Sequence, residues 1–186
     1  MSPFEVAVAA IIKSEGGYTA NPADPGNWTG GQQGNGELRG TKFGISAAAY
    51  PKLDIRSLTL EDAQAIYRRD YWDRISGDNL PPPLALLVFD AAVNSGVARA
   101  VGWLQQCVGV HPDGMVGPQT LAAVGAFVEQ QGDAGICTEF MTQRLIFLAS
   151  LPTWRAFGIG WTRRLFRLPF EVMDLEGTKM NSARVS

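Results

Sequence analysis

The chain has 186 residues and a formal net charge of −2 at pH 7. Its hydrophobic content of 46% and charged content of 18% are typical of a globular protein with a substantial core and exclude a largely disordered chain. The small net charge excludes a general electrostatic attraction to nucleic acid or to an anionic membrane.

The N-terminal segment combines a helical pattern with a long irregular stretch. Apolar residues recur at helical spacing between Phe4 and Ile12, which predicts an amphipathic helix over residues 3–15. Two glycines end this helix, and residues 18–44 are too rich in glycine and proline to continue it. A loop with a small hairpin is therefore predicted there, and an irregular stretch of this length in a compact domain usually has a function.

The remainder of the chain has mainly helical patterns. Thr59 and Asp62 have the spacing of a capping box, which marks the start of a helix. Three consecutive prolines at 81–83 open another segment, and Pro118 suits the first turn of a later helix. Further helices are predicted over residues 97–108, 118–130, 134–150 and 158–174. The predicted fold class is mainly α, with a small hairpin or loop lobe near the N-terminus.

Glu15 and Asp24 are the residues with the clearest chemical potential. Glu15 ends the first predicted helix, and Asp24 follows in the loop. Two such carboxyl groups can cleave a glycosidic bond, because one donates a proton to the leaving oxygen and the other assists the water or the developing cation. Desolvation would raise the pKa of Glu15 and keep it protonated, as a general acid requires. A solvated glutamate near a helix C-terminus is the alternative.

The loop around Asp24 contains further candidates. Asp24 suits a role in orienting water or stabilising positive charge on a sugar, and it equally suits a structural Asx turn. Thr29 and Thr41 are the nearby hydroxyl groups able to hold the water. The rings of Tyr18 and Trp28 suit stacking on sugars, or packing of the loop against the core.

The cysteines, the single histidine and the apolar segments give little support for a disulfide framework, a metal site, a histidine-based triad or a membrane span. Cys107 and Cys137 lie in apolar helical surroundings and are predicted to be buried free thiols. His111 is the single histidine, so neither a zinc site nor a histidine-based triad is expected. The chain has no predicted signal peptide or membrane span, which predicts synthesis in the cytoplasm.

Three N-terminal motifs resemble the signature of glycoside hydrolase family 108. They are Glu-Gly-Gly-Tyr from Glu15, Asp-Pro-Gly from Asp24 and Thr-Lys-Phe-Gly-Ile-Ser from Thr41. Members of this family are N-acetylmuramidases of phage endolysins and bacterial secretion-associated lysozymes. The spacing of the glutamate and the aspartate also resembles that of phage-type lysozymes, which have a threonine shortly after the aspartate.

The chain departs from the family pattern between the second and third motifs. Asn27 stands where the family has its second glycine, and a glycine-rich insertion separates Thr29 from Thr41. Either threonine therefore suits the family position. Thr41 is favoured, because Gly44, Ile45 and Ser46 follow it at the family spacing.

The second half resembles the predicted peptidoglycan domain that accompanies this family. The resemblance lies in residues 90–96, in Gln105 and in residues 113–120, the last of which also reads as a tight glycine turn before a helix. Asp90 and Asn94 are four residues apart and share a helix face. They are expected either to line the cleft or to form a buried, satisfied polar pair.

Together these motifs span about residues 4–170 and imply a lysozyme-like fold and activity. The resemblance implies cleavage of the β-1,4 bond between N-acetylmuramic acid and N-acetylglucosamine, with no metal or organic cofactor. It assigns catalysis to Glu15, Asp24 and Thr41, and the candidates for sugar contact are Tyr18, Trp28, Thr29, Asp90 and Asn94. The expected organisation is a catalytic lobe at 1–80, a helical peptidoglycan-associated lobe at 81–175 and a disordered tail at 176–186.

The expected partner is bacterial peptidoglycan, and the expected oligomeric state is a monomer. The enzyme is expected to reach the periplasm or the cell wall through a holin pore or a secretion system. Two rival functions remain open. A non-catalytic wall-binding module would not depend on Glu15, and a lytic transglycosylase would form a 1,6-anhydro product without an attacking water.

Overall fold

The computed structural model of the chain describes residues 1–14 and 17–167. These residues are mainly helical and contain one small antiparallel sheet, so the predicted fold class is confirmed. The elements are α1 (Pro3–Ser14), β1 (Thr41–Lys42), β2 (Ile45–Ser46), α2 (Leu60–Tyr67), α3 (Pro82–Ser95), α4 (Val97–Cys107), α5 (Pro118–Ser150) and α6 (154–167). Glu15 and the predicted tail lie outside the described residues.

The chain forms two compact units. The smaller unit is Val8–Arg68, and the larger unit combines Met1–Ala7 with Arg69–Ser186. The division therefore falls at Arg68, whereas the predicted lobes met at residue 80. None of the described helices is both long enough and apolar enough to cross a membrane.

A tight hairpin organises the smaller unit. Lys42 pairs with Ile45, and the two residues between them, Phe43 and Gly44, both have positive φ angles. A two-residue type I′ turn requires this conformation, and it fits the twist of the two strands. The hydroxyl group of Tyr67 on α2 donates a 2.9 Å hydrogen bond to the carbonyl oxygen of Phe43. This bond joins the hairpin to a helix whose apolar face is buried.

The capping box predicted for α2 is confirmed. The hydroxyl oxygen of Thr59 accepts a hydrogen bond from the backbone N–H of Asp62, and the Asp62 carboxylate accepts one from the backbone N–H of Thr59. Each side chain therefore satisfies a backbone donor that the first helical turn leaves open.

Helix α3 is the centre of the larger unit. Its residues from Leu84 to Ala92 are all buried, and it packs against both α4 and α5. Phe4, Trp72 and Phe89 form an edge-to-face aromatic cluster with ring centroids 5.5 to 6.3 Å apart. Such a cluster buries a large apolar area and holds the segments before α3 against that helix.

The helices predicted over residues 118–130 and 134–150 are both present, and together they form α5, which is interrupted between them. Gly132, inside α5, has φ 72° and ψ 173°, which are not helical values. Pro118 occupies the first turn of α5, as expected. Helix α6 begins at residue 154, four positions before its predicted start at 158.

Candidate active site

Asn27 connects the two parts of the smaller unit that contain the predicted catalytic residues. Its side chain is fully buried, at the end of a short 3-10 turn over Pro25–Asn27. The Nδ2 group donates a 3.0 Å hydrogen bond to the carbonyl oxygen of Asn21. A carbonyl oxygen can only accept, so this contact fixes which end of the amide is nitrogen, and Oδ1 consequently faces Thr41.

The hydroxyl group of Thr41 is held in a defined orientation. It lies 2.6 Å from Oδ1 of Asn27, and because that oxygen can only accept, the hydroxyl must donate. The lone pairs that remain on Oγ1 can therefore only accept hydrogen bonds. The backbone of Thr41 is fixed as well, since it exchanges bonds of 2.8 and 2.9 Å with Thr19. Thr41 thus offers a positioned acceptor suited to a water molecule.

Asp24 caps the same 3-10 turn and remains exposed. Its Oδ1 accepts a 2.8 Å hydrogen bond from the backbone N–H of Gly26, and its carbonyl oxygen accepts one from the N–H of Asn27. The Asx turn considered from the sequence is therefore present. Within the described part of the chain, Oδ2 has no hydrogen-bond partner, so one carboxylate oxygen is still open to a ligand.

Tyr18 lies against Gly40, the residue directly before strand β1. The guanidinium group of Arg56 stands over the Tyr18 ring, 4.8 Å from its centroid. The ring also lies so close to Gly40 that a Cβ atom at that position would meet the ring and the Thr19 carbonyl oxygen. The ring is half-buried, so only part of its surface is open for sugar stacking.

Trp28 and Thr29 hold the base of the glycine-rich insertion. The indole N–H of Trp28 donates a 2.9 Å hydrogen bond to the carbonyl oxygen of Pro22, and Trp28 also forms an isolated bridge with Leu38. The Thr29 hydroxyl oxygen accepts a 2.8 Å bond from the backbone N–H of Glu37. Thr29 thus closes the insertion, whereas the Thr41 hydroxyl binds the Asn27 turn.

Asp90 lies in a buried ionic cluster in the larger unit. Its Oδ2 is 2.6 Å from NH1 of Arg144, and its Oδ1 is 2.9 Å from NH2 of Arg164. The side chains of Asp90 and Arg144 are only 3% and 5% exposed. Asn94 is exposed, and its Nδ2 donates to the Asp90 carbonyl oxygen and to Oδ1. This geometry favours the satisfied polar pair for Asp90 and leaves Asn94 accessible.

Gln105 organises the loop between α4 and α5. Its buried amide nitrogen donates to Oδ1 of Asp113, to the Met115 carbonyl oxygen and to the hydroxyl of Thr120, and its Oε1 accepts from the N–H of Gly114. Hydrogen bonds from Gln105 and from the Met115 N–H lower the pKa of Asp113. The glycine turn expected over residues 113–120 is present, and the hydrogen bonds of the buried Gln105 side chain hold it in place.

The cysteines do not provide a nucleophile. Cys107 and Cys137 are free and half-buried. Burial, with the Glu139 carboxylate adding to it, raises the pKa of Cys107 to about 12. Burial and the Asp133 carboxylate raise the pKa of Cys137 to about 11. Over residues 1–14 and 17–167, no group of three His, Cys, Asp or Glu side chains is arranged to hold a metal ion.

The predicted site residues fall in both units. Those in the smaller unit are Tyr18, Asp24, Trp28, Thr29 and Thr41, and those in the larger unit are Asp90 and Asn94. Sequence reasoning missed the roles of Asn27 and Arg144. Asn27 was visible only as a departure from the family pattern. Arg144 gave no local signal, because it is 54 positions from the carboxylate that it binds.

Comparisons with known proteins cover most of the chain. Residues 8–96 match the sequence profile described as Glycosyl hydrolase 108, and residues 99–166 match the profile described as Predicted Peptidoglycan domain. Among solved structures, the chain is similar to SagA of Brucella abortus, with 36% sequence identity and a TM-score of 0.73. That alignment covers 92% of this chain and 94% of SagA. No curated protein sequence matches the chain significantly.

Proposed function

The chain belongs to the glycosyl hydrolase 108 family and is a peptidoglycan hydrolase, and we propose that it cleaves the β-1,4 bond between N-acetylmuramic acid and N-acetylglucosamine. The observation that carries this proposal is the connection through Asn27. Its N–H donates to the Asp24 carbonyl oxygen, and its side chain accepts from the Thr41 hydroxyl. The two residues expected to handle water are thus both hydrogen-bonded to Asn27, Asp24 at the Asn27 backbone N–H and Thr41 at the buried Asn27 side chain.

Glu15 is the proposed general acid. Hydrolysis of a glycosidic bond requires a carboxylic acid that protonates the leaving oxygen while positive charge develops on the sugar. Glu15 stands in the motif that resembles the catalytic signature of the family, between α1 and the segment that contains Asp24.

Asp24 and Thr41 are the proposed partners of the attacking water. The open Oδ2 of Asp24 can accept a proton from water or stabilise the cationic transition state. The Oγ1 lone pairs of Thr41 can accept a second hydrogen bond from the same water, because the hydroxyl proton already belongs to the bond with Asn27. Two acceptors would orient a water lone pair toward the anomeric carbon.

This arrangement supports hydrolysis over transglycosylation. A lytic transglycosylase uses a sugar hydroxyl as its internal nucleophile and needs no group to hold a water. An open carboxylate oxygen on Asp24 and a fixed acceptor on Thr41 are what a hydrolase requires. Tyr18, Trp28, Thr29 and Asn94 remain the proposed sugar contacts.

The biological setting is also a proposal. The family resemblance supports a bacteriolytic enzyme of phage, prophage or bacterial origin that acts as a monomer in the periplasm or cell wall. Access through a holin pore or a secretion system would deliver it to its substrate. Co-expression with and without a holin, followed by measurement of culture lysis, tests the first route.

Product analysis of purified peptidoglycan digests tests the proposed reaction. Hydrolysis by a muramidase yields muramic acid ends that borohydride reduces, and mass spectrometry detects the added hydrogens. A transglycosylase instead yields anhydro ends that lack one water and resist reduction. Reducible muramic ends are expected. Anhydro ends, or reducible glucosamine ends, would overturn the proposed bond or mechanism, and binding without cleavage would favour the wall-binding module.

A further inference from the structure

The larger unit contains an open pocket of about 270 Å³ beside the Asp90 cluster. The pocket is lined by the end of α3, the start of α4, the second half of α5 and by α6. Its lining combines three guanidinium groups with two aromatic rings, and these residues are Arg99, Arg144, Arg164, Phe147 and Trp161. The exposed Asn94 lies at its edge and also lines it.

Within the part of the chain that the structure describes, the positive charge of this pocket is incompletely neutralised. Asp90 is the only carboxylate that forms an ion pair with any of its three arginines in the described part of the chain, and it binds two of them. These three arginines and one aspartate sum to a charge of +2 at neutral pH. The Nε group of Arg144 is buried without a hydrogen-bond partner in the described structure, so this arginine also lacks part of its usual set of acceptors.

Two of the arginines keep donors that a ligand can reach. The side chain of Arg164 is 39% exposed, and within the described structure only its NH2 group donates a hydrogen bond, to Asp90. Arg99 is exposed, stacks over the Phe147 ring at 4.7 Å and makes a single long hydrogen bond of 3.4 Å to the Ser95 carbonyl oxygen. The N–H donors that this exposed guanidinium group does not use in the described structure suit a carboxylate.

We propose that this pocket, the arginine pocket, binds a carboxylate of the peptidoglycan stem peptide. The inference rests on the proposed function, since it takes peptidoglycan as the substrate. N-acetylglucosamine has no carboxyl group, and the lactyl carboxyl group of N-acetylmuramic acid is amide-linked where a stem peptide is attached. The free carboxylates of such a strand therefore belong to the peptide. Phe147 and Trp161 provide an apolar wall for small side chains such as alanine. The Oδ1 atom of Asn94 has no partner in the described structure and can accept a peptide N–H.

The position of the arginine pocket in the sequence agrees with the matched peptidoglycan domain. Most of the pocket, including Arg99, Arg144 and Arg164, lies within residues 99–166, which match the Predicted Peptidoglycan domain. Gln105 and the loop that it organises have a structural role and are not proposed as ligand contacts. The arginine pocket would hold the peptide branch of a strand while a different part of the chain acts on the glycan.

Isothermal titration calorimetry with a defined peptide tests the proposal. The probe is the tetrapeptide L-alanyl-γ-D-glutamyl-meso-diaminopimelyl-D-alanine, compared with the same peptide amidated at its carboxyl groups and with sodium acetate. The test variant is Arg99→Gln, because Arg99 is exposed and lies outside the Asp90 cluster. The matched control is Arg163→Gln, which removes an exposed arginine from α6 that does not line the pocket. Circular dichroism checks the folding of both variants.

The wild type is expected to bind the tetrapeptide and not the amidated peptide. Arg99→Gln should weaken the affinity for the tetrapeptide about tenfold, whereas Arg163→Gln should leave that affinity unchanged. Binding should also weaken as salt is added. Absence of tetrapeptide binding, equal loss in both variants, or equal affinity for the amidated peptide or acetate would overturn the proposal. The binding assay requires no bond cleavage, so it separates the two proposals. A protein that binds the peptide but does not cleave peptidoglycan would contradict only the proposed function. A protein that cleaves peptidoglycan but does not bind the peptide would contradict only the proposed role of the arginine pocket.

Discussion

The hydroxyl group of Thr41 donates a 2.6 Å hydrogen bond to the buried side-chain oxygen of Asn27. The Asn27 amide is itself oriented by its donation to the Asn21 carbonyl oxygen. This chain of two bonds fixes where the Thr41 proton points and leaves the other side of its oxygen as an acceptor. The hydroxyl of a flexible threonine would lose this directionality, and a bound water would be less well oriented.

Replacement of Thr41 tests this relationship. Thr41→Val keeps the shape of the side chain and removes the hydroxyl, so we expect peptidoglycan hydrolysis to fall about a hundredfold. Thr41→Ser keeps the hydroxyl and should retain most activity. Steady-state rates of release of reducing ends provide the measurement. A larger loss in Thr29→Val than in Thr41→Val would show that Thr29 serves the site instead.

Gly40 is expected to be essential to the geometry next to Thr41. Gly40 and Gly34 have similar positive φ angles, of 83° and 77°. An added Cβ at Gly40 would meet the Thr19 carbonyl oxygen and the Tyr18 ring, whereas nothing lies within 4 Å of one at Gly34.

Gly34→Ala therefore incurs only the backbone strain, about 1–2 kcal/mol in the free energy of unfolding. Gly40→Ala should cost more and should also reduce activity, because the Thr19 and Thr41 backbones must separate to accommodate the methyl group. Urea unfolding and the reducing-end assay measure both quantities. Equal losses in the two variants would show that the clash at Gly40 relaxes without consequence.

The Asp90 cluster is expected to be sensitive to loss of its single carboxylate. Asp90→Asn leaves the buried guanidinium of Arg144 without a counter-charge, which should lower the free energy of unfolding by about 3–5 kcal/mol. Arg164 is far more exposed, so Arg164→Gln should cost only about 1 kcal/mol. Urea denaturation of the two variants tests the contrast, and similar losses would indicate that Arg144 finds another acceptor or water.

The two cysteines should react slowly until the pH is strongly alkaline. Burial raises the pKa of Cys107 to about 12 and that of Cys137 to about 11, so little thiolate exists near neutral pH. We expect iodoacetamide to label the native protein more than about a hundredfold slower at pH 8 than the protein unfolded in urea, where thiols have ordinary pKa values. The native rate should rise as the pH approaches 11. Rapid labelling at pH 8 would contradict this burial.

Local sequence signals predicted the elements that depend on neighbouring residues. The capping box of Thr59 and Asp62 requires only two side chains three positions apart, and the break at Gly132 follows from local backbone freedom. The loop and hairpin near Thr41 were predicted by glycine content, although the strand positions were not. Propensity and spacing suffice where a contact is made within one or two turns.

Contacts between distant segments were not predictable in the same way. Arg144 and Arg164 meet Asp90 across 54 and 74 positions, and only the packing of α3, α5 and α6 brings them together. Asn27 looked like a plain departure from a family pattern, because its role depends on a strand fourteen positions away. The roles of Glu15, Asp24 and Thr41 stay predictions that mutation must test.

The most direct test of the account compares the wild type with Glu15→Gln on purified peptidoglycan. Glutamine keeps the size and hydrogen-bonding capacity of the side chain but has no transferable proton, so the variant should fold, as circular dichroism would verify, and should lose nearly all activity. The wild type should release fragments with reducible muramic ends. Undiminished release of those fragments by folded Glu15→Gln protein would contradict the assignment of Glu15 as the general acid.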